Sequence, residues 1–402
     1  MKITILGGCG AVGSVALKTI VESKIFSEIL IADMDEEKAA GIACSCGFDG
    51  AQACRVEAID PDSVESAIRG SDVVLNCVGP FYKYGPGILR AAIKQKINYV
   101  DVCDDFDATE ACLEMDDAAR KAGVSALVGM GSSPGVANVL VRFAAEDLLE
   151  SVEAVDIYHA HGGEAMEGPA VVKHRIHSMS VPIPVFIDGR FKRLDMFSPE
   201  GVAFEETTKF ADVGTYNVYL YPHPETITLP RFIKGIQRVT NLGLVLPPAY
   251  AELIKGVVRL GMIGDRPIMV GNQPVIPLDF AVSYILSNRD RLTREAGITE
   301  AMGCLKIVVR GKKKGEPATF VFSMSSRGRG MGEGTGIPSA LGAILMATGK
   351  IKGKGVMPPE ACVVPADLLQ LAKERVHLDG KSGMPLMIEH IKANGEIERI
   401  SL

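Results

Sequence analysis

Met1-Lys-Ile-Thr-Ile-Leu-Gly-Gly-Cys-Gly-Ala-Val-Gly-Ser-Val15 opens the chain and decides its fold. The apolar run Ile3–Leu6 reads as a buried strand. Glycines follow at Gly8, Gly10 and Gly13 in the G-x-G-x-x-G spacing, and Ser14–Ile20 reads as a helix. Gly8 permits a tight turn, Gly10 lets the backbone approach a pyrophosphate, and Gly13 lets the helix pack on the strand. The N-terminus of that helix offers unpaired N–H groups and a positive dipole end to phosphates. A second apolar run, Ile29–Ala32, ends in Asp33, which lies 20 positions after Gly13. A ribose-binding carboxylate is expected there. Gly8, Cys9, Gly10, Ala11, Val12 and Gly13 are thus the expected phosphate turn, with Asp33 and Met34 at the ribose. Asp33 would repel a 2′-phosphate. Met34-Asp35-Glu36-Glu37 adds negative charge and no arginine, so NAD is expected over NADP.

The 402 residues allow two domains and a third lobe, and with 47% apolar residues they can bury large cores. No apolar stretch approaches the roughly 18 residues of a membrane span. The first residues are already a strand, so no signal peptide is expected. A net charge of −6 argues against nucleic acid as the main partner. Nine cysteines, an odd number set partly in apolar runs, fit reduced thiols in a cytoplasm. Cys44 and Cys46 have no second pair at metal-site spacing, and no metal is expected.

Six short strands are read at Ile3–Leu6, Ile29–Ala32, Val56–Ile59, Val73–Cys77, Tyr99–Val102 and Ala126–Met130. Helical patterns at Gly13–Glu22, Asp62–Ile68, Gly87–Lys96 and Asp107–Ala122 lie between them. Such alternation predicts an α/β fold, a Rossmann doubly wound parallel sheet. From Glu153 onward the pattern changes. Ala154–His161 reads as a strand, and Asp188-Gly189 signals a hairpin. A second hairpin is expected at Leu305–Arg310 and Thr319–Met324, turning over Gly311–Pro317. Pro230–Thr240 and Pro248–Leu260 read as helices. This is an inserted α+β domain for substrate. Within Ser325–Gly336 the alternating glycines read as a flexible loop or as a crossover approaching the cleft. Ile337–Ala347 is apolar nearly all round, so it should be a helix buried against the first sheet. The expected domains are 1–140 with 335–375, and 141–334 with 376–402.

Ligands of open α/β sheets bind beyond the carboxyl ends of the strands. Those ends supply Asp60, as an adenine contact or a turn cap, then Cys77, Val78, Gly79, Pro80 and Cys103 around the cofactor. Tyr84, Asp104 and Asp101 are the candidate proton-handling groups, and capping or packing is the plainer role for such residues. Arg175, His177 and Arg231 are candidates for the substrate, an arginine fork being suited to a carboxylate.

Gly79-Pro80-Phe81 with Tyr84-Gly85, then Tyr99-Val-Asp101, then Gly131 with Pro134-Gly135 and Asn138, resemble saccharopine dehydrogenase-type oxidoreductases. Thr335-Gly336, Lys354-Gly355-Val356 with Pro359-Glu360, and His223-Pro224-Glu225-Thr226 extend the resemblance. The family's Gly-Pro-Tyr is Gly-Pro-Phe81 here, which leaves Tyr84 as the nearer tyrosine. The resemblance implies a Rossmann domain completed by a late helix, and an α+β domain that binds substrate and often mediates dimers. It implies an NAD-linked enzyme acting on a C–N bond of a small amino-acid substrate, lysine 6-dehydrogenase-like or of saccharopine/opine type, in a homodimer. A catalytically silent NAD-binding redox sensor or assembly protein is the alternative.

Overall fold

The computed structural model describes residues 1–164, 167–378 and 381–400. Its first lobe alternates β1 (Lys2–Leu6), α1 (Ala11–Ser23), β2 (Glu28–Asp33), α2 (Glu36–Ser45), β3 (Ala51–Arg55), α3 (Pro61–Ile68), β4 (Val73–Asn76), α4 (Phe81–Gln95) and β5 (Asn98–Asp101). Helices α5 (Phe106–Leu113) and α6 (Asp116–Ala122), β6 (Ser125–Leu127) and α7 (Val136–Phe143) complete it. The second lobe holds β7 (Ser151–Gly162), α8 (Pro169–Ser180), β8 (Ile183–Ile187), β9 (Arg190–Leu194), α9 (Pro199–Val202), β10 (Glu206–Phe210), β11 (Gly214–Leu220), α10 (Glu225–Phe232) and β12 (Arg238–Leu246). Then come α11 (Pro248–Arg259), the hairpin β13 (Ile268–Val270) and β14 (Gln273–Val275), α12 (Pro277–Glu295), β15 (Met302–Lys313) and β16 (Glu316–Arg327). The chain ends with α13 (Met331–Ala347), β17 (Gly355–Met357), α14 (Pro359–Cys362), α15 (Pro365–Arg375), β18 (His377–Leu378), β19 (Lys381–Ser382), β20 (Leu386–Ile391) and β21 (Ile397–Ile400).

The first sheet is parallel, in the order β17-β6-β5-β4-β1-β2-β3. Its reversal beside β1 is the switch point where a dinucleotide lies in such sheets. Both faces are covered. On one, Ile3, Ile5, Leu75 and Val100 meet Leu17 and Ile20 of α1 and Leu341 and Ile344 of α13. On the other, Leu6, Val74, Tyr99 and Ala126 meet Ile68 of α3 and Ile88 and Leu89 of α4. Each fully buried Leu or Ile contributes about 1.5–3 kcal/mol. The chain therefore returns to its first sheet after residue 330, contributing both a helix and a seventh strand.

The second sheet runs β10-β11-β12-β7-β15-β16-β20-β21, with β8 on β12 and β9 on β8. It is mixed, because β12 pairs β7 in parallel while its other neighbours pair antiparallel. One face packs on α8, α11 and α12. The other packs on Val136, Leu140 and Val141 of α7, so α7 joins the two lobes.

Several sequence readings shift. The third strand is Ala51–Arg55, not Val56–Ile59. It is an edge strand with one neighbour, so it lacks the apolar run of a central strand. Helix α2, capped where the Asp35 side chain accepts from Lys38 N, went unread because it buries little besides Ala39. Helix α4 begins at Phe81 and runs through Gly85, Pro86 and Gly87, where a loop is expected. Asp107–Ala122 is two helices. Pro230–Thr240 is not one helix: α10 stops at Phe232 and β12 begins at Arg238. In the long hairpin the turn is Lys314-Gly315, both at positive φ (52° and 77°), so Lys312 and Lys313 belong to a strand.

Of the alternating glycines, Gly328 and Gly330 lie in the crossover between β16 and α13. Helix α13 already runs over Gly332, Gly334 and Gly336. A Cβ on Gly336 would stand 2.6 Å from the Val12 carbonyl oxygen and 2.9 Å from Val15 Cβ. The glycines let α13 lie against α1, and that close approach outweighs their poor helix propensity. Gly336→Ala is expected to cost about 1–3 kcal/mol by overpacking, and to weaken dinucleotide binding by displacing α1. A denaturant midpoint and cofactor titration equal to wild type would refute the packing argument.

Candidate active site at the domain boundary

The glycine turn is built for close approach. A Cβ on Gly13 would lie 2.2 Å from the Gly7 carbonyl oxygen, and one on Gly8 would lie 2.7 Å from Ile31 Cγ2. Gly10 is exposed, and no side chain caps α1. The first N–H groups of α1, at Ala11, Val12 and Gly13, are therefore available to a pyrophosphate. The Asp33 carboxylate accepts from Cys9 N at 2.9 Å and Asp35 N at 3.2 Å, which fixes it beside the turn. Met34 is exposed. Beyond β4, the Cys77 carbonyl and Val78 side chain pack on Gly7, and Gly79-Pro80 leads into α4. Burial pushes the Cys77 thiol up to about 12. These residues fit a dinucleotide along the switch point.

Two of the residues expected near the cofactor are engaged within the chain. Asp60 is the cap of α3, its side chain accepting from Asp62 N at 3.1 Å. Cys103 is fully buried and donates to the Asp105 carbonyl at 3.4 Å, so it supports the loop rather than lining a cleft.

The end of β5 and the loop after it carry three acids with three tasks. Asp101 is fully buried, and its Oδ1 accepts from Gly129 N at 2.7 Å and Cys103 N at 3.0 Å. It ties the end of β5 to the end of β6, a positioning task, and burial raises its carboxyl to about 6. Asp105 Oδ1 meets His174 Nδ1 at 2.8 Å, while its Oδ2 accepts from Tyr82 N at 2.8 Å. Asp104 Oδ2 lies 3.3 Å from the other ring nitrogen, Nε2. His174 belongs to α8, so this imidazole bridges the two lobes. Burial opposes its charge, but Asp104 and Asp105 outweigh that and push it up to about 9. Burial also opposes ionisation of Asp105, yet the His174 charge and hydrogen bond hold it below the usual carboxylate range. His177, one helical turn on, meets Asp107 Oδ2 at 2.8 Å and stacks on Tyr82 at 3.9 Å.

Behind this bridge the second lobe buries a polar cluster. His159, His161 and His223 form a row, with ring centroids 5.9 and 5.1 Å from His159 to its two neighbours. Burial keeps His159 neutral, its proton affinity well below the usual range. Arg175 is inside the lobe, but its guanidinium is paired with Glu167 and lies 3.3 Å from Tyr250 Oη. Arg231 stands outside, exposed, over the Phe191 ring. Tyr84 leans on the apolar cluster between α4 and the sheet, with Lys83 Nζ 5.1 Å from its ring centroid. Of the expected proton-handling and substrate groups, the structure brings Asp104 and His177 to the boundary and keeps Arg175 inside the second lobe. It places Asp101 behind them and leaves Arg231 away.

Residues 3–127 match the saccharopine dehydrogenase NADP binding domain, and residues 131–377 match the saccharopine dehydrogenase C-terminal domain. The chain belongs to the saccharopine dehydrogenase family. A carboxyaminopropylagmatine dehydrogenase of Synechocystis is 22% identical over 382 residues, covering 90% of this chain and 92% of that protein. A carboxynorspermidine synthase of Vibrio alginolyticus is also 22% identical, covering 88% and 90%. Apo saccharopine dehydrogenase (L-Glu forming) of Saccharomyces cerevisiae covers both chains fully with a TM-score of 0.66 at 15% identity, a likeness of fold. As a member of this oxidoreductase family the chain carries a nicotinamide-dinucleotide domain. Among the described residues, no helix is long and apolar enough to cross a membrane.

Sequence reasoning did not single out His174 or Tyr82 at the boundary, nor the buried acids Glu225 and Glu360. A signal existed for the first: His174 and His177 are three apart and share one helix face. For Glu225 and Glu360, 135 positions apart, only the fold supplies the juxtaposition.

Proposed function

We propose that this family member transfers hydride between a nicotinamide dinucleotide and a C–N bond of a small amino-acid substrate, in a lysine 6-dehydrogenase-like or saccharopine/opine-type reaction. The observation that carries this reading is the Asp104–His174–Asp105 bridge. It stands at the carboxyl end of β5, on the side of the sheet where the dinucleotide turn opens. When bound, the nicotinamide supplies or takes the hydride. The chain handles the proton. Asp105 holds His174 Nδ1, so the imidazolium presents Nε2 toward Asp104 and the polar cluster. A protonated His174 can protonate an amine leaving or forming there, and Asp104 can take the proton an ammonium must lose first. The test is a screen of amino acids, 2-oxo acids with amines, and polyamines for change in nicotinamide absorbance. No turnover of any such substrate with either dinucleotide would overturn the reading.

The choice between NAD and NADP is proposed to rest on two residues. Asp33 and the acids after it support NAD. The family description names NADP, and the β2–β3 register sets Arg55 directly across from Asp33. That arginine is not adjacent in sequence, and its guanidinium is exposed, paired with Glu57 at 2.5 Å. We propose it as the partner of a 2′-phosphate. Asp33→Ser should shift the Kd ratio toward NADP, and Arg55→Ala should shift it toward NAD by about tenfold, the loss of one phosphate contact. Titrations in which neither variant moves the ratio would remove both residues from cofactor choice.

A homodimer is proposed as well. The β13–β14 hairpin exposes Ile268, Met269 and Val270, and α12, which follows it in the chain, exposes Phe280 and Tyr284. An apolar arm and an apolar helix face can cover their own copies about a two-fold axis. A monomer in sedimentation would overturn this.

A further inference from the structure

The motifs His223-Pro224-Glu225-Thr226 and Pro359-Glu360, far apart in sequence, meet at the lobe boundary, and the reaction above uses neither acid. Glu225 opens α10 and is 0% exposed, while Glu360 follows the seventh strand and is 4% exposed. Each is held by one oxygen. Ser133 donates to Glu225 Oε1. Asn138 Nδ2 donates to Glu360 Oε2 at 2.8 Å and also reaches Thr228 Oγ1, one turn along α10 from Glu225, at 3.4 Å. The Asn138 side chain is itself fixed, because its Oδ1 accepts from Gly135 N at 2.9 Å.

The second oxygens, Glu225 Oε2 and Glu360 Oε1, are buried without a hydrogen-bond partner. His223 Nδ1, also unpartnered, stands 3.5 Å from Glu225 Oε2. Two buried carboxyls with idle oxygens are costly unless a cation or proton offsets them. Burial pushes the Glu360 carboxyl up to about 7, the Glu225 charge adding to the effect, so this acid holds its proton more tightly than an ordinary carboxyl.

We propose that Glu225 and Glu360 are the seat for an alkylammonium group of the substrate. An ammonium has three donors and no acceptor, so it can donate to carboxylate oxygens that the chain leaves without a donor. A divalent ion would need more oxygen ligands. Among the described residues, the groups close enough to hold an ion are Asp104-Asp105-His174 and Asp105-Asp107-His177, and neither includes these glutamates. This seat rests on the reading of the boundary as a substrate site, and it names the charge that site selects.

The experiment is calorimetry on the full chain with butylamine and putrescine as probes and butanol as the uncharged control. Both amines should bind and butanol should not. Glu225→Gln and Glu360→Gln should each weaken amine binding at least tenfold and leave dinucleotide binding unchanged, which also reports correct folding. In the wild-type protein, amine binding should release a proton below a pH of about 7 and none well above it. Amine binding unaltered in both variants, or binding of butanol equal to that of butylamine, would overturn the seat. So would amine binding without proton release in the more acidic buffer. Amine binding as described but no turnover with any nicotinamide cofactor would defeat the proposed reaction and leave the seat standing.

Discussion

Replacing His174 with glutamine is expected to lower kcat by on the order of a hundredfold or more, the range for loss of a positioned acid–base group. Glutamine keeps a donor near Asp105 but cannot carry the charge that Asp104 and Asp105 stabilise. Asp104→Asn should show a loss of the same order. Tyr84→Phe should change little, because that ring leans on apolar neighbours of α4 rather than on the bridge. The pH dependence has a definite sign. The imidazole is raised in the folded protein from the ordinary 6.5 to about 9. Its contribution to holding the lobes together is complete below about pH 6.5 and is lost as pH rises through about 9. Asp105 is lowered, so its contribution is present above its unfolded value and lost in acid. Wild-type kcat should fall on the alkaline side near pH 9, and that limb should vanish in His174→Gln. Steady-state kinetics across pH checks both points, and near-normal turnover in His174→Gln would end the assignment of the relay.

The two lobes differ in how far their sequences could be read. In the first, β1, the glycine turn, α1, β2 and Asp33 are contiguous, and each step is dictated by local chemistry. Periodicity finds Ile3–Leu6 or Val73–Asn76 because central parallel strands are apolar on both faces. It fails at Ala51–Arg55, an edge strand. It also fails at Gly332–Gly336, where propensity forbids a helix and packing against α1 requires one. The site was less legible for a similar reason. Asp104 announces itself at a strand end, but its imidazole arrives from α8 and 70 residues downstream. Arg55 comes to lie opposite Asp33 by sheet register alone. Arg175 looked like a free anchor because its counter-ion Glu167 precedes it by 8 positions. Nothing in that short spacing says that both will be buried.

Arg175→Met is expected to destabilise the protein by about 3–5 kcal/mol, the usual cost of breaking a buried ion pair from one side. The Arg175 and Glu167 side chains are 3% and 5% exposed, and they are in contact. Glu167 also receives Tyr250 Oη at 2.8 Å and Arg289 Nε at 3.0 Å. This cluster joins the start of α8 to α11 and α12, the three helices that cover one face of the second sheet. Removing Arg175 leaves Glu167 with Arg289, which softens the loss. Glu167→Gln leaves two buried guanidiniums facing a neutral amide, so it should cost at least as much. The double change Arg175→Met with Glu167→Leu should recover part of the stability, since a buried pair replaced by apolar groups of similar size is often neutral. Because α8 also carries His174 and His177, loosening its start should impair the relay, with kcat falling in proportion to the loss of folded protein. A different outcome would reassign the residue. If Arg175→Met kept the wild-type denaturation midpoint and only raised KM, the guanidinium would be the substrate's carboxylate anchor after all. Denaturant unfolding and Michaelis kinetics on the same preparation separate the two.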